Sequence, residues 1–147
     1  MTEKKSLNSL KGTVFSNMSP CRISLGGHWL PNTETAYQMA QMVIESERAL
    51  IRSARSPYEA KKLGRRVTLR PNWETLKQEV MLALLRRKFS QDPWRAALLA
   101  VDGDIVEGNT WHDNIWGSCT CVRCGNKGQN LLGVMLMQVR DELRQGT

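Results

Sequence analysis

The chain has 147 residues, of which 41% are hydrophobic and 24% charged, and these are the proportions of an ordinary soluble domain. No apolar run is long enough to span a membrane and no apolar block follows the N-terminal lysines, so we predict a cytoplasmic protein rather than a membrane or secreted one. The net charge of +7 favours anionic partners such as phosphates, nucleotides or nucleic acid, and it fits equally well a basic surface without a partner.

The chain begins with a polar segment, residues 1–11, which we expect to be flexible. A single domain is predicted to follow over residues 12–147. Within it, residues 21–25 alternate between apolar and polar side chains, which predicts a short, half-buried strand. Gly26-Gly27 then predicts a hairpin turn.

Two helices are predicted next. The first begins with Thr33 as its N-cap, and Glu34 places an acidic side chain in the first turn, where the helix dipole favours it. Apolar residues on more than one side of this helix indicate that it is buried on more than one face. The second helix begins at Ser56-Pro57 and ends near Gly64.

The rest of the chain is predicted to be mainly helical. Asn72 is expected to cap a long amphipathic helix, and Asp92-Pro93 begins another. Residues 104–107 predict a short strand, and residues 130–144 a closing helix with one apolar face. With five or six helices and a few short strands, we predict a helix-rich α+β domain.

Residues 108–124 read GNTWHDNIWGSCTCVRC and contain almost no aliphatic side chains. A tryptophan offers a flat face for a nucleobase or pyrimidine ring at a low cost in conformational entropy. Trp111 and Trp116 in this segment favour a binding site. Trp73, at the start of a helix, is more simply explained as a core residue.

Two carboxylates are candidates for catalysis. Cleavage of a glycosidic bond passes through an oxocarbenium-like transition state, which needs a negative group and a base that orients water. Glu34 and Asp113 each have aromatic or histidine neighbours in the sequence. Glu34 taken alone is also explained as ordinary complementation of a helix dipole.

Several motifs in order along nearly the whole chain resemble the NADAR (YbiA-like) family. VFSNMSP is similar to the family's F-S-N-F opening, and LPNTETAYQMAQ to its W-P-T-x-E-H-Y-F-Q-A-Q helix. SPYEAKKLGR, RPNWETLKQEVM and LRRKFSQDP follow. VEGNTWHDNIWG and GQNLLGVMLMQVRDEL are similar to D-x-x-W-G and G-x-N-x-L-G-x-x-L-M-x-x-R.

The resemblance implies a hydrolase that cleaves the bond between a base-like nitrogen and ribose. One branch of the family acts on phosphoribosylated pyrimidine intermediates of riboflavin synthesis, and another removes ADP-ribose from modified guanine. Glu34 matches the catalytic glutamate, and Asp113 is the second acid or a ribose-binding residue. Trp73 and Trp116 match aromatic positions. Further substrate-binding positions match Asn17, Tyr37, Gln38, Lys88, Gly117 and Asn130.

Basic residues and two departures from the family pattern bear on the substrate. Arg65 and Lys88 are candidates to bind phosphate, although these two and Lys61 are equally explained as solvated charges on helices. The family's E-H-Y-F-Q has Thr35 and Ala36 here in place of a histidine and an aromatic residue, so the substrate can differ.

Three of the four cysteines form a C-x-C-x-x-C pattern, at a spacing that structural zinc sites use. The fourth ligand would have to come from elsewhere, and none of the candidates lies at a signature spacing. The pattern consists of Cys119, Cys121 and Cys124, and the candidate fourth ligands are His112, His28 and Cys21. We favour reduced thiols over structural zinc here, and we predict no metal or other cofactor in the catalytic reaction.

The leading interpretation is therefore an N-glycosidase, with a phosphorylated ribosyl small molecule or an ADP-ribosylated nucleic acid as its partner. We expect no membrane association and no obligate protein partner. One alternative is a non-catalytic module that binds ADP-ribose or a nucleotide in the same pocket. Another is a small zinc-containing nucleic-acid binder, which leaves the acidic and tryptophan positions unexplained.

Overall fold

The computed structural model describes residues 8–146. They form two compact units, one of residues 17–88 and the other of residues 8–16 with 89–146. Together the described residues contain six helices and four short strands. Of the segment predicted to be flexible, the structure describes residues 8–11, and Leu10 there is fully buried. Within residues 8–146, no helix is both long and apolar enough to cross a bilayer.

The unit of residues 17–88 begins with a β-hairpin. Strand β1 (Pro20–Leu25) pairs antiparallel with β2 (His28–Asn32), and Ile23 lies opposite Leu30. The two residues between the strands are Gly26 and Gly27, whose φ angles of 58° and 80° fall where L side chains are disfavoured. The predicted strand and hairpin turn are thus confirmed.

The predicted first helix is in fact two helices, α1 (Thr33–Ala40) and α2 (Glu45–Arg52). The chain leaves the helical path between them because the Met42 carbonyl accepts hydrogen bonds from Arg48 Nε at 3.2 Å and Arg70 Nη2 at 3.3 Å. These two side-chain bonds, of which the one from Arg70 is long-range, satisfy a carbonyl that lies outside both helices.

Asn32, not Thr33, is the N-cap of α1. Asn32 has extended backbone angles, and its side-chain oxygen accepts from Thr35 N at 2.7 Å. Thr33 is the first helical residue. Asparagine is the stronger of the two capping residues, which accounts for the shift by one position.

Helix α3 (Pro57–Gly64) begins as predicted, because Ser56 caps it by accepting from Glu59 N at 3.1 Å. Helix α4 (Trp73–Lys88) follows Asn72, whose φ of 63° is left-handed and whose backbone carbonyl accepts from Thr75 N and Leu76 N. The core of this unit joins the hairpin to α1–α4. Its members are Ile23, Leu30, Ala36, Met39, Met42, Ile51, Ala60 and Leu84.

The other unit contains α5 (Trp94–Leu99), α6 (Leu131–Gln145) and two parallel two-residue strands, β3 (Gly108–Asn109) and β4 (Ser118–Cys119). The strand predicted at residues 104–107 is wrong. Two backbone groups in that segment bond instead to the side chain of Asn130, which donates to Ile105 O at 2.9 Å and accepts from Glu107 N at 2.9 Å.

Arg140 on α6 anchors the chain that follows α5. Its guanidinium is buried, and Nη1 donates to Val101 O at 2.6 Å and to Gly103 O at 2.8 Å. Phe15 and Phe89 stack in the same unit with ring centroids 6.0 Å apart. The arginine that ends the last sequence motif therefore has a structural role in this fold.

Candidate functional site

Glu34 lies in the first turn of α1 with its side chain almost fully buried, at 8% exposure. Its backbone N–H donates to Asn17 O at 3.0 Å, and its Oε1 accepts from Gln38 Nε2 at 2.7 Å. Burial raises the pKa of Glu34, and the bond from Gln38 and the charge of Lys61 offset part of that rise. Such a carboxylate is poised to exchange a proton or to orient a water molecule.

A chain of buried amides fixes Gln38. Gln41 Nε2 donates to Gln38 Oε1 and also to Gly64 O, the latter at 3.1 Å. A Cβ atom at Gly64 would lie 1.8 Å from Gln38 Oε1, which is an impossible distance for two atoms that are not bonded. A larger residue at the end of α3 would therefore displace the amide that holds Glu34, whereas glycine leaves room for it.

Tyr37 and Trp73 form an aromatic pair beside this helix. Their ring centroids are 5.2 Å apart and the rings are tilted by 52°, an arrangement between the offset-stacked and edge-to-face contacts that aromatic quadrupoles favour. Burial raises the pKa of Tyr37, and the charges of Glu34 and Glu74 raise it further, so the phenol keeps its proton. Trp73 is buried, as its core interpretation predicts.

Lys88 is fully buried at the end of α4, so the interpretation of this residue as a solvated charge is wrong. Burial lowers the pKa of Lys88 to about 8, although the nearby Cys21 acts in the opposite direction. Burial also raises the pKa of the Cys21 thiol. In contrast, Lys61 and Arg65 are exposed.

Asn17 contributes a buried acceptor to the same unit. Its Nδ2 lies 3.7 Å from Met81 Sδ, while its Oδ1 has no hydrogen-bond partner among residues 8–146. Buried polar atoms are rarely left unpaired, and those that are often mark a ligand site or a bound water. This unit thus brings together five of the predicted site residues with Glu34, namely Asn17, Tyr37, Gln38, Trp73 and Lys88.

Asp113 belongs to the other unit, where it holds a turn. Its Oδ1 accepts from Ile115 N at 3.1 Å and from Trp116 N at 3.0 Å. Asn109 secures the same turn from below, because its side chain donates to Asp113 O at 2.8 Å and accepts from Asp113 N at 3.1 Å. The aspartate of D-x-x-W-G therefore shapes the loop that carries Trp116.

Gly117 and Asn130 brace this loop. Gly117 O accepts from Asn130 N at 3.1 Å, and a Cβ at Gly117 would lie 2.2 Å from the backbone oxygen of Glu107. Trp116 is half-buried, whereas Trp111 is exposed. Substrate contacts of Asp113, Trp116, Gly117 and Asn130 stay predictions, and the structure gives three of the four a supporting role.

The cysteine pattern forms a convergent group. The ligand atoms of His112, Cys119, Cys121 and Cys124 all lie within 4.8 Å of one another, and the group could hold a metal ion. Of the three candidate fourth ligands, His112 is therefore the one that lies beside the three cysteines. The other two, His28 and Cys21, belong to the unit of residues 17–88.

A groove of about 260 Å³ lies elsewhere in that unit, between α4 and the residues around it. Its apolar floor is edged by Arg48, Arg70 and Arg87, whose side chains donate to the backbone carbonyls of Met42, Ala40 and Ser24. Glu34 is not part of the lining.

Comparison with known proteins agrees with the motifs. The NADAR domain model matches residues 5–144, ahead of the domain boundary predicted at residue 12. The N-glycosidase YbiA of Shigella boydii serotype 4 (strain Sb227) is 38% identical over 133 residues, which is 88% of this chain and 80% of that protein. The NMR structure of the E. coli protein YbiA has a TM-score of 0.83 at 32% identity, covering 99% of this chain and 89% of that one.

A third relative has a longer chain. The chloroplastic riboflavin biosynthesis protein PYRR of Arabidopsis thaliana is 39% identical over 101 residues, which is 63% of this chain and 16% of that protein. Together these similarities confirm the resemblance stated from the motifs and the helix-rich α+β fold. They also confirm the prediction of an enzyme, a hydrolase that acts on N-glycosyl bonds.

Proposed function

Because the chain belongs to the NADAR domain family, we propose that it hydrolyses the N-glycosidic bond between a base-like nitrogen and a phosphorylated ribose, with Glu34 as the catalytic carboxylate. The observation that carries this proposal is the buried Glu34 side chain, fixed through Oε1 by Gln38. Among residues 8–146, the other carboxylate oxygen, Oε2, has no hydrogen-bond partner and is free to act on water.

The chemistry follows from this arrangement. As the bond to the base nitrogen breaks, positive charge develops on the anomeric carbon and the ring oxygen of the ribose. A carboxylate in a site with little water stabilises that charge more strongly than one in bulk solvent. The electron pair of the broken bond stays on the base nitrogen. Glu34 Oε2 accepts a proton from the attacking water and passes it to that nitrogen, and a raised pKa makes the carboxylate a better base.

Four residues of the unit that contains Glu34 are assigned to the substrate. The Tyr37–Trp73 pair offers an aromatic edge to the base. The unpaired Oδ1 of Asn17 accepts from a ribose hydroxyl. Lys88, buried near Cys21 and positively charged below pH about 8, binds the phosphate.

Two candidate substrates contain a phosphorylated ribosyl group. A phosphoribosylaminopyrimidine is supported by the relative named for riboflavin biosynthesis, and the compact aromatic pair suits a single ring. ADP-ribosylated guanine in nucleic acid is compatible with the net charge of +7. We favour the pyrimidine, and we expect the enzyme to work in the cytoplasm, where its thiols stay reduced.

Mass spectrometry of the products tests the proposal. The purified protein and its Glu34→Gln variant would each be incubated with a phosphoribosylaminopyrimidine and with an oligonucleotide that carries ADP-ribosyl-guanine. We expect the wild-type protein to release ribose 5-phosphate from the first substrate, and the variant, whose amide can still accept from Gln38, to release none.

Three other outcomes bear on the proposal. Release of ADP-ribose from the oligonucleotide alone would overturn the choice of substrate. Equal turnover by the Glu34→Gln variant would overturn the role of Glu34. Tight binding of ADP-ribose without release from either substrate would favour the non-catalytic module instead.

A further inference from the structure

We propose that His112, Cys119, Cys121 and Cys124 bind one zinc ion that has a structural role. The proposal is independent of the glycosidase reaction and rests on the convergence of four donor atoms in one unit. They come from the loop before β4, from β4 itself and from the turn that follows it. Three thiolates and one imidazole are a donor set that tetrahedral zinc takes in structural sites.

The distances between donors agree with those of a tetrahedral zinc site. With Zn–S bonds of about 2.3 Å and a Zn–N bond of about 2.0 Å, tetrahedral geometry places each sulfur about 3.5 Å from the nitrogen. His112 Nδ1 lies 3.3 Å from Cys124 Sγ, 3.6 Å from Cys119 Sγ and 3.6 Å from Cys121 Sγ. A single nitrogen at nearly the same distance from three sulfurs is unusual for a hydrogen-bonded histidine, which directs one N–H to one acceptor.

The backbone around the sulfurs is arranged to support metal ligands. Cys124 N donates to Cys121 Sγ at 3.3 Å, a contact that stabilises negative charge on a thiolate. The following residues, Gly125 and Asn126, have φ angles of 65° and 56°, and their N–H groups bond back to Cys121 O and Cys119 O. This tight turn brings Cys119 and Cys121 to the same side as Cys124.

His112 completes the group at the cost of an uncommon backbone conformation. Its φ is 68°, a left-handed value that few residues other than glycine adopt. Strain of this kind persists where the surrounding structure over-determines it, often at ligand sites. A bond from Nδ1 to zinc would offset that cost and would explain why the ring is directed at the three sulfurs.

Four protein ligands fill a tetrahedral shell and leave no open position for water or substrate, so the ion is structural and not catalytic. All four cysteines of the chain are free thiols in the structure, which leaves the three in this group available as ligands. An ion here would tie His112 to Cys124 and so close the loop that contains Asp113 and Trp116.

The metal content of the wild-type protein is the first test. The protein would be expressed with zinc in the medium, purified under reducing conditions without chelator, and measured by inductively coupled plasma mass spectrometry. We expect about one zinc per chain, as four converging ligands imply. Zinc content below a tenth of that value, with no zinc taken up by the reduced chain in a titration, would overturn the proposal. A full complement of another metal, such as iron, would overturn the assignment to zinc.

Cobalt substitution and variants locate the ion. Replacement with Co²⁺ should give the intense visible bands of tetrahedral cobalt together with thiolate charge-transfer bands. The Cys121→Ser and His112→Ala variants should lose at least about nine-tenths of the zinc, whereas Cys21→Ser, a cysteine outside the group, should keep it. Equal zinc content in Cys121→Ser and the wild type would show that the ion is bound elsewhere. Circular dichroism would identify a variant that fails to fold. The zinc titration of the wild-type protein tests the proposal whether or not the variants fold.

Discussion

Replacement of Asp113 by Asn and by Ala separates its structural role from a catalytic one. Asp113 Oδ1 accepts two backbone N–H groups, from Ile115 and Trp116. A hydrogen bond to a charged acceptor contributes about 1.5–3 kcal/mol, and water can replace part of it in a half-exposed turn. We therefore expect Asp113→Ala to lower the free energy of unfolding by about 2–4 kcal/mol.

The Asp113→Asn variant keeps an oxygen that can accept the same two bonds and loses only the charge. A neutral hydrogen bond is roughly half as strong as a charged one, so the cost falls to about 1 kcal/mol. For a chain of this length, each kcal/mol lowers Tm by roughly 2–4 °C. The expected losses are therefore about 3 °C for Asn and about 4–16 °C for Ala.

Differential scanning calorimetry measures both values, and turnover measured on the same samples shows any catalytic role. If both variants have the same Tm as the wild type, Asp113 does not hold the turn and the inference from its two hydrogen bonds is wrong. If Asp113→Asn keeps its stability and loses turnover, the carboxylate acts on substrate as well. Turnover in proportion to the folded fraction would limit Asp113 to positioning the loop.

Three further predictions concern the unit of residues 17–88. Gly64→Ala should displace Gln38 and lower kcat by about 10–100-fold, because each 1.4 kcal/mol lost with the hydrogen bond to Glu34 corresponds to a factor of ten. A Tm within about 5 °C of the wild type would show that the fold survives. An unchanged kcat would contradict the role of Gln38. Because the pKa of Glu34 is raised, kcat/KM should fall with decreasing pH from a point above the ordinary glutamate range. Ionisation of the buried Glu34 also destabilises the fold as pH rises through that pKa, so Glu34→Gln should have a higher Tm than the wild type at neutral pH. A lower Tm would contradict the sign of this effect. Lys88→Met should raise KM for a phosphorylated substrate by about 10–100-fold and leave KM for the dephosphorylated substrate unchanged. The wild-type KM should rise above pH about 8, because Lys88 loses its proton there. A wild-type KM that does not change with pH would show that Lys88 does not bind the phosphate.

Local signals predicted local structure well. Ser56 before Pro57 predicted the start of α3, and Gly26-Gly27 predicted the hairpin, because capping and turn geometry depend on a few adjacent residues. The break between α1 and α2 could not be predicted in this way. It depends on Arg70, which lies 28 residues along the chain from the carbonyl that it binds.

The same limit applies to the candidate site. Glu34 and its aromatic neighbours could be predicted from motifs, since they lie on one helix and the start of another. Lys88 follows two arginines at the end of a helix, and such a position is usually solvated, so its burial was visible only in the fold. His112 has no signature spacing to the cysteines, and the turn that brings it to them depends on an uncommon φ angle.

The contact between Gly64 and Gln38 has a consequence for attempts to redesign this enzyme. Because a methyl group at position 64 and the side-chain oxygen of Gln38 cannot occupy the same space, the effects of substitutions at the two positions are coupled. A library that varies them one at a time would test each larger residue at position 64 only beside a displaced glutamine at position 38. Paired variation at these two positions, with histidine or asparagine also allowed at position 41, would reach alternative supports for the carboxylate that no series of single substitutions can enter.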